Sequence, residues 1–153
     1  MKIRLLCVGK LANAHLKALA EDYRKRLERL GEVEIVEVKD AEDKDGAARL
    51  AKEAERVRDA AGALSECILW DERGEALDSL GFSKMLAGME DRSAKRCTFI
   101  IGSSHGVSED LKAELPRKLQ LSRFTFTHEW ARALALEQIY RARCIQKHIP
   151  YHH

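Results

Sequence analysis

Two stretches of the chain hold residue types that can do chemistry. The C-terminal stretch THEWARALALEQIYRARCIQKHIPYHH contains four of the six histidines, His128, His148, His152 and His153, together with Arg132, Arg141 and Arg143. Arginines at such a density can hold phosphate through charge-assisted hydrogen bonds, and a histidine trades a proton near neutral pH. Glu137 and Arg141 stand four residues apart, so the plainer reading is a surface ion pair worth under about 1 kcal/mol. The second stretch, IIGSSHGVS, sets Gly102 and Gly106 around two serines. Glycines there let backbone N–H groups approach oxygen acceptors closely. The string is neither a dinucleotide fingerprint nor a P-loop, so a tight structural turn and an adenosine or phosphate site both stay open.

These stretches need elements to position them. Lys2 to Val8 is a short aliphatic run closed by Gly9, which predicts a strand buried on both faces. Asn13 can cap a helix whose apolar positions, Leu16, Leu19, Ala20, Tyr23, Leu27 and Leu30, recur every three or four residues up to Gly31. Val33 to Val38 alternates apolar with acidic residues, as expected of a strand with a wetter face or at an edge. An acidic loop, Asp40 to Asp45, leads to a helix over Ala47 to Ala61 with Leu50, Ala51, Ala54, Val57 and Ala61 on one side. Cys67 to Trp70 is predicted as a third strand and Asp71 to Gly74 as a turn. Phe82, Met85, Leu86 and Met89 mark a short helix, and Cys97 to Ile101 a fourth strand running directly into the glycine turn. Ser108 can cap a helix over Glu109 to Glu114. Leu119 to Phe126 reads as a fifth strand or an extended loop, and Glu129 to about Lys147 as a long helix closed by Pro150. Its apolar residues, Trp130, Leu134, Leu136, Ile139, Tyr140 and Ile145, lie nearly all round. Either a homodimer contact or complete burial in a monomer would account for them.

Strand alternating with helix throughout predicts a single α/β domain, a parallel sheet with helices on both faces, and ligands beyond the carboxyl ends of the strands. At 153 residues the chain buries roughly 70% of its unfolded surface, enough for one core. With 45% hydrophobic and 34% charged residues but Pro 2 and Gly 9, disordered and collagen-like classes are excluded. A net charge of +2 is too balanced for a broad basic face, so nucleic-acid contact is expected to be local. The four cysteines form no CxxC or Cys/His cluster, and those in KIRLLCV, ECILW and RCTFII read as buried thiols, so no metal is expected. Without a leader pattern or a long apolar run, a cytoplasmic protein with no membrane partner is expected.

The opening strand KIRLLCVGK, the turn IIGSSHGVS, the run LSRFTFTHEWARALALEQIYRA and the terminal PYHH together resemble the RlmH family of large-subunit ribosomal RNA methyltransferases, within the SPOUT class. The resemblance covers essentially the whole chain, and LEQIYRA with PYHH is its specific part. It implies methyl transfer from S-adenosylmethionine to N3 of a pseudouridine in 23S rRNA, in the stem-loop facing the small subunit; the modest charge and small size add the expectation that the substrate is a shaped loop in the assembled ribosome. The fold implied is one domain over residues 1–153, with the C-terminal part from about 66 to 153 passing through a loop as a trefoil knot. General topology rules disfavour knots, so this expectation rests on the resemblance alone. It further implies a homodimer in which the tail of one subunit completes the site of the other.

Carried over by position, the methyl donor is expected against Trp70, Gly102 and the run Leu121, Ser122, Arg123, Phe124, Thr125 and Phe126. The target side is expected to use His128, Arg132, Glu137, Arg141, Tyr151 and His152; the ordinary histidine pKa of about 6.5 makes His152 the expected base for the imide proton. The chain departs from the family at Ser103-Ser104-His105, where a second glycine and a proline or acidic residue are usual. It departs again at Phe126-Thr127-His128, where Leu-Pro-His is usual, and at Trp70, usually aliphatic. The altered turn motivates an alternative, a non-catalytic ribosome-associated assembly factor on the same fold. A small flavodoxin-like nucleotide transferase fits the strands but leaves LEQIYRA and PYHH unexplained.

Overall fold

The computed structural model describes residues 1–153 as a five-stranded sheet with helices on both faces. The strands are β1 (Lys2–Val8), β2 (Val33–Val38), β3 (Cys67–Ala76), β4 (Arg96–Ile101) and β5 (Arg117–Gln120). The helices are α1 (Ala14–Glu28), α2 (Gly46–Ala61), α3 (Ser79–Asp91), α4 (Glu109–Glu114) and α5 (His128–Gln146). The order across the sheet is β2-β1-β4-β3-β5 and every pairing is parallel. All carboxyl ends therefore share one edge. No helix is long and apolar enough to cross a membrane.

The central strands send alternate side chains to two cores. Ile3, Leu5, Cys7, Cys97, Phe99 and Ile101 meet α1, α3 and α5 on one face. Leu6, Val8, Leu69 and Ile100 meet α2 and its neighbour Leu111 on the other. All four cysteines are free and buried; burial pushes the Cys7 and Cys97 thiols up to about 12, so neither is a nucleophile at neutral pH.

The sequence reading fails at one strand. Asp71 to Gly74, expected as a turn, continues β3 as far as Ala76. The pairing with β5 breaks register between Trp70 and Glu75, and Gly74 lies so close to the Leu119 backbone that a methyl on it would collide. Polar residues suit this extension because beyond Trp70 the strand has left the sheet centre and meets only β5. That strand is correspondingly shorter than expected, ending at Gln120, and residues 121–127 have no regular structure.

The end of α5 fixes the tail. The Ile149 N–H donates to the Cys144 carbonyl (2.9 Å) and the His148 N–H to that of Ile145 (3.2 Å). His148 adopts φ 54. This is a Schellman stop with histidine where glycine is usual.

Candidate functional site

A cleft of about 750 Å³ opens at the carboxyl edge of the sheet. Trp70 and Asp71 of β3, the turn Gly102–Val107 after β4, most of the segment 121–127 and the first turn of α5 line it. Its size is that of a cofactor pocket. Of the residues expected around the donor, Trp70, Gly102, Leu121, Ser122, Phe124, Thr125 and Phe126 all border the cleft, and Arg123 does not. His128 borders it too, from the N-terminus of α5.

Each wall has a local cause. Gly102 is needed because a methyl there would lie 2.6 Å from Val107 Cγ2 and 2.7 Å from the Gly106 carbonyl oxygen. Gly106 takes φ +84 and its N–H donates to the Ser103 carbonyl (2.9 Å), closing the turn. Of the backbone N–H groups between 121 and 126, only that of Phe124 donates within the chain, to Ser122 Oγ (3.0 Å), while the Thr125 hydroxyl reaches Glu72 (3.4 Å). An extended segment with free backbone donors is suited to the edge of a heterocycle. Trp70 stacks on Phe99, ring centres 5.6 Å apart and 18° from parallel, and its buried Nε1–H has no partner. On the rim, Lys112 pairs with Asp71 at 2.8 Å. Burial alone raises Asp71, but the Lys112 ammonium and the Arg73 N–H reverse this and hold its carboxyl below the usual range. Glycine turn, free strap backbone and orphaned indole donor together form a cradle for a nucleoside with polar edges. No group of three or more His, Cys, Asp or Glu side chains is placed to hold a metal ion.

Glu129 joins the cleft to α1. Its carboxylate accepts from the backbone N–H groups of Asn13 (3.0 Å) and Ala12, and these hold it below the usual carboxyl range. The Nε2 of His128 would lie 3.9 Å from a methyl placed on Gly9, so the histidine stands over the end of β1.

The remaining target-side residues assemble elsewhere. Tyr151 donates to Glu137 (3.0 Å), Arg141 donates to the same carboxylate (2.6 Å), and Tyr23 of α1 meets the Tyr151 hydroxyl at 3.0 Å. The Arg141 guanidinium stacks 4.7 Å over the Tyr151 ring, and His152 Nδ1 is 3.5 Å from Arg141. Burial, with the Tyr23 and Glu137 hydrogen bonds, pushes the Tyr151 phenol well above its ordinary value. Arg141 sits roughly 20 Å from His128 along α5 at the helical rise. None of these residues borders the cleft of its own chain.

Arg132 joins neither group. It is 2% exposed, pairs with Glu37 of β2 and donates to the Gly9 carbonyl (2.9 Å), leaving Nε without a partner. Sequence reasoning missed Tyr23, Lys112 and Glu53. Glu53, 3% exposed on α2, bonds Ser103 of the glycine turn at 2.8 Å. Its signal was a glutamate four residues before Val57, on the apolar stripe of that helix.

The comparisons agree with this geometry. A family model described as a predicted SPOUT methyltransferase matches residues 1–152. A Geobacter sulfurreducens protein named ribosomal RNA large subunit methyltransferase H is 36% identical, covering 100% of both chains. One of the same name from Flavobacterium johnsoniae is 34% identical, covering 100% of this chain and 99% of its own. Among solved structures, a probable methyltransferase from Bordetella pertussis shares the fold at TM-score 0.57 and 14% identity, covering 92% of this chain and 95% of that one. The tRNA (m1G37) methyltransferase of Aquifex aeolicus does so at 0.54 and 15% identity, with 94% and 70% covered. The chain belongs to the SPOUT methyltransferase family, among the ribosomal RNA large subunit methyltransferase H proteins.

Proposed function

We propose that this protein transfers a methyl group from S-adenosylmethionine to N3 of a pseudouridine in 23S rRNA, acting in the cytoplasm as a homodimer on the assembled ribosome. The observation that carries this reading is the separation of two half-sites within one chain. The donor cleft takes in Trp70, Gly102 and the 121–126 segment, while Glu137, Arg141, Tyr151 and His152 gather at the far end of α5. A second copy that brings its tail to this cleft unites them. The half-exposed Trp130 near the start of α5 supplies apolar surface for such a contact. The C-terminal part, from about residue 66, is threaded as a trefoil knot in this reading.

S-adenosylmethionine supplies a methyl already activated on a sulfonium, so alignment is the main requirement on the protein. The strap backbone from Leu121 to Phe126, with Arg123 pointing outward as its basic member, holds the adenine edge, and Gly102 lets the turn close on the nucleoside. On the target side, Arg141 and Tyr151 position the base, Glu137 fixes both, and His128 stands at the cleft wall. Arg132 holds the end of β1 beneath His128. His152 accepts the N3 proton as the nitrogen–methyl bond forms and the sulfur–methyl bond breaks, leaving a neutral thioether. A chain this small, with a net charge of only +2, has little surface for reading sequence, so recognition rests on the shape of an exposed loop and a base turned out of it.

Calorimetric titration with S-adenosylmethionine and S-adenosylhomocysteine tests the donor site. Micromolar binding to the wild type, lost in Thr125→Trp with the fold intact by circular dichroism, is the expected result. Absence of binding both with and without ribosomes overturns the reading in favour of an assembly factor.

A further inference from the structure

Three segments that never pair in the sheet meet at one buried carboxyl group. Glu53 of α2 accepts from the Ala41 N–H at Oε1 (3.0 Å) and from the Ser103 hydroxyl at Oε2 (2.8 Å). Ser103 Oγ in turn accepts the His105 N–H (3.2 Å). Ala41 belongs to the loop after β2 and Ser103 to the turn after β4, and β1 lies between those strands. The hub therefore spans the carboxyl end of β1, directly behind the cleft wall formed by residues 102–107. Ala41, Glu53 and Ser103 are all buried, so solvent cannot replace a lost partner without cost.

We propose that Glu53 is a positioning residue for the methyl-donor turn, acting through the Ser103 hydroxyl; this rests on the donor-site reading above. The polarity is consistent along the chain of bonds. Both carboxyl oxygens accept, and the hydroxyl donates its one proton to Glu53 while accepting from His105. Glu53 thereby fixes Ser103, whose carbonyl closes the turn through Gly106 and whose hydroxyl orients the His105 amide. It touches no donor atom itself. Where the family usually has a second glycine, this chain carries a serine, and the buried glutamate is what gives that side chain a fixed seat.

The test is a cycle of Ser103→Ala, Glu53→Gln and the double variant, in the full-length protein. S-adenosylhomocysteine affinity, methylation kinetics and amide exchange are read on each. Each single variant is expected to weaken binding roughly tenfold and to raise KM for the donor while leaving kcat at saturation within about twofold. The double variant is expected to lose no more than the worse single one, because the two side chains act as one unit. In the protein without donor, Ser103→Ala is expected to speed exchange at the His105 amide and, through Glu53, at the Ala41 amide as well. Unchanged affinity, additive losses or an Ala41 amide indifferent to Ser103→Ala would overturn the proposal. If the wild type binds no donor, the donor-site reading falls, and the exchange data still decide whether the hub couples the two loops.

Discussion

The cleft at the carboxyl edge of the sheet and the tail cluster lie at opposite ends of α5 and are built on opposite plans. The cleft is made of backbone: a glycine turn, a strap whose N–H groups are mostly free, and an indole donor without a partner. The tail is made of side chains that already satisfy one another, Tyr23 on Tyr151, Tyr151 and Arg141 on Glu137. Free backbone donors wait for a ligand, whereas a closed side-chain network holds a shape to be presented to something else. The difference teaches that the cleft is built as a receptor and the tail as a fixed shape, and that one chain keeps them apart.

Mixing two dead variants tests this most severely. Thr125→Trp and His152→Ala are each expected to be inactive alone, and co-folded to recover about a quarter of wild-type activity, since half the dimers carry one intact composite site. No recovery would mean that both halves work within one chain. Next in size is Gly102→Ala. The added methyl has no room against Val107 and Gly106, so donor affinity should fall about a hundredfold while the tail cluster, followed by the fluorescence of its tyrosines, stays as it was.

Tyr23→Phe probes the other half. It removes one hydrogen bond from Tyr151, worth about 1 kcal/mol. The expected result is a several-fold drop in kcat with donor affinity unchanged. Equal loss of both would erase the distinction between the two regions.

The smallest effect is electrostatic. Asp71 is held below the ordinary carboxyl range, with burial opposing and Lys112 prevailing, and Lys112 is raised by the same contact against burial. A depressed acid contributes stability that is full above its unfolded pKa and lost as pH falls through the folded one. A raised lysine loses its contribution as pH climbs past its own folded value. Asp71→Asn should therefore lower the unfolding free energy slightly at neutral pH, by under about 1 kcal/mol, seen as a small drop in melting temperature, and make no difference in strong acid. A gap that persisted there would assign Asp71 a packing role instead.

Much of this was legible in the sequence, because strand and helix periods are local. The strict alternation gave the parallel sheet, and the buried run ending at Gly102 located the turn. Strand order was not legible, since it is set by which hydrophobic faces meet across α3 and α5. The extension of β3 was missed because Asp71-Glu72-Arg73-Gly74 has turn chemistry, and only the neighbouring β5 makes it a strand. Arg132 looked like a phosphate ligand among other arginines. Its partners Glu37 and Gly9 lie a whole chain away, and nothing local distinguishes it from Arg141. Glu53 was hidden by the same limit, as a buried acid is recognised only by what faces it.

The placement of β5 outside β3 makes one wall of the cleft depend on a single strand pair at the sheet edge. β5 pairs with β3 alone, across the intervening α3, β4 and α4, so the pairing that shapes the cleft is non-local. Loop-closure entropy is lost there before packing returns anything. A four-residue edge strand is the natural place for fraying to begin, so on gentle heating the cleft is expected to lose its shape, and with it the proposed donor binding, ahead of the fold itself.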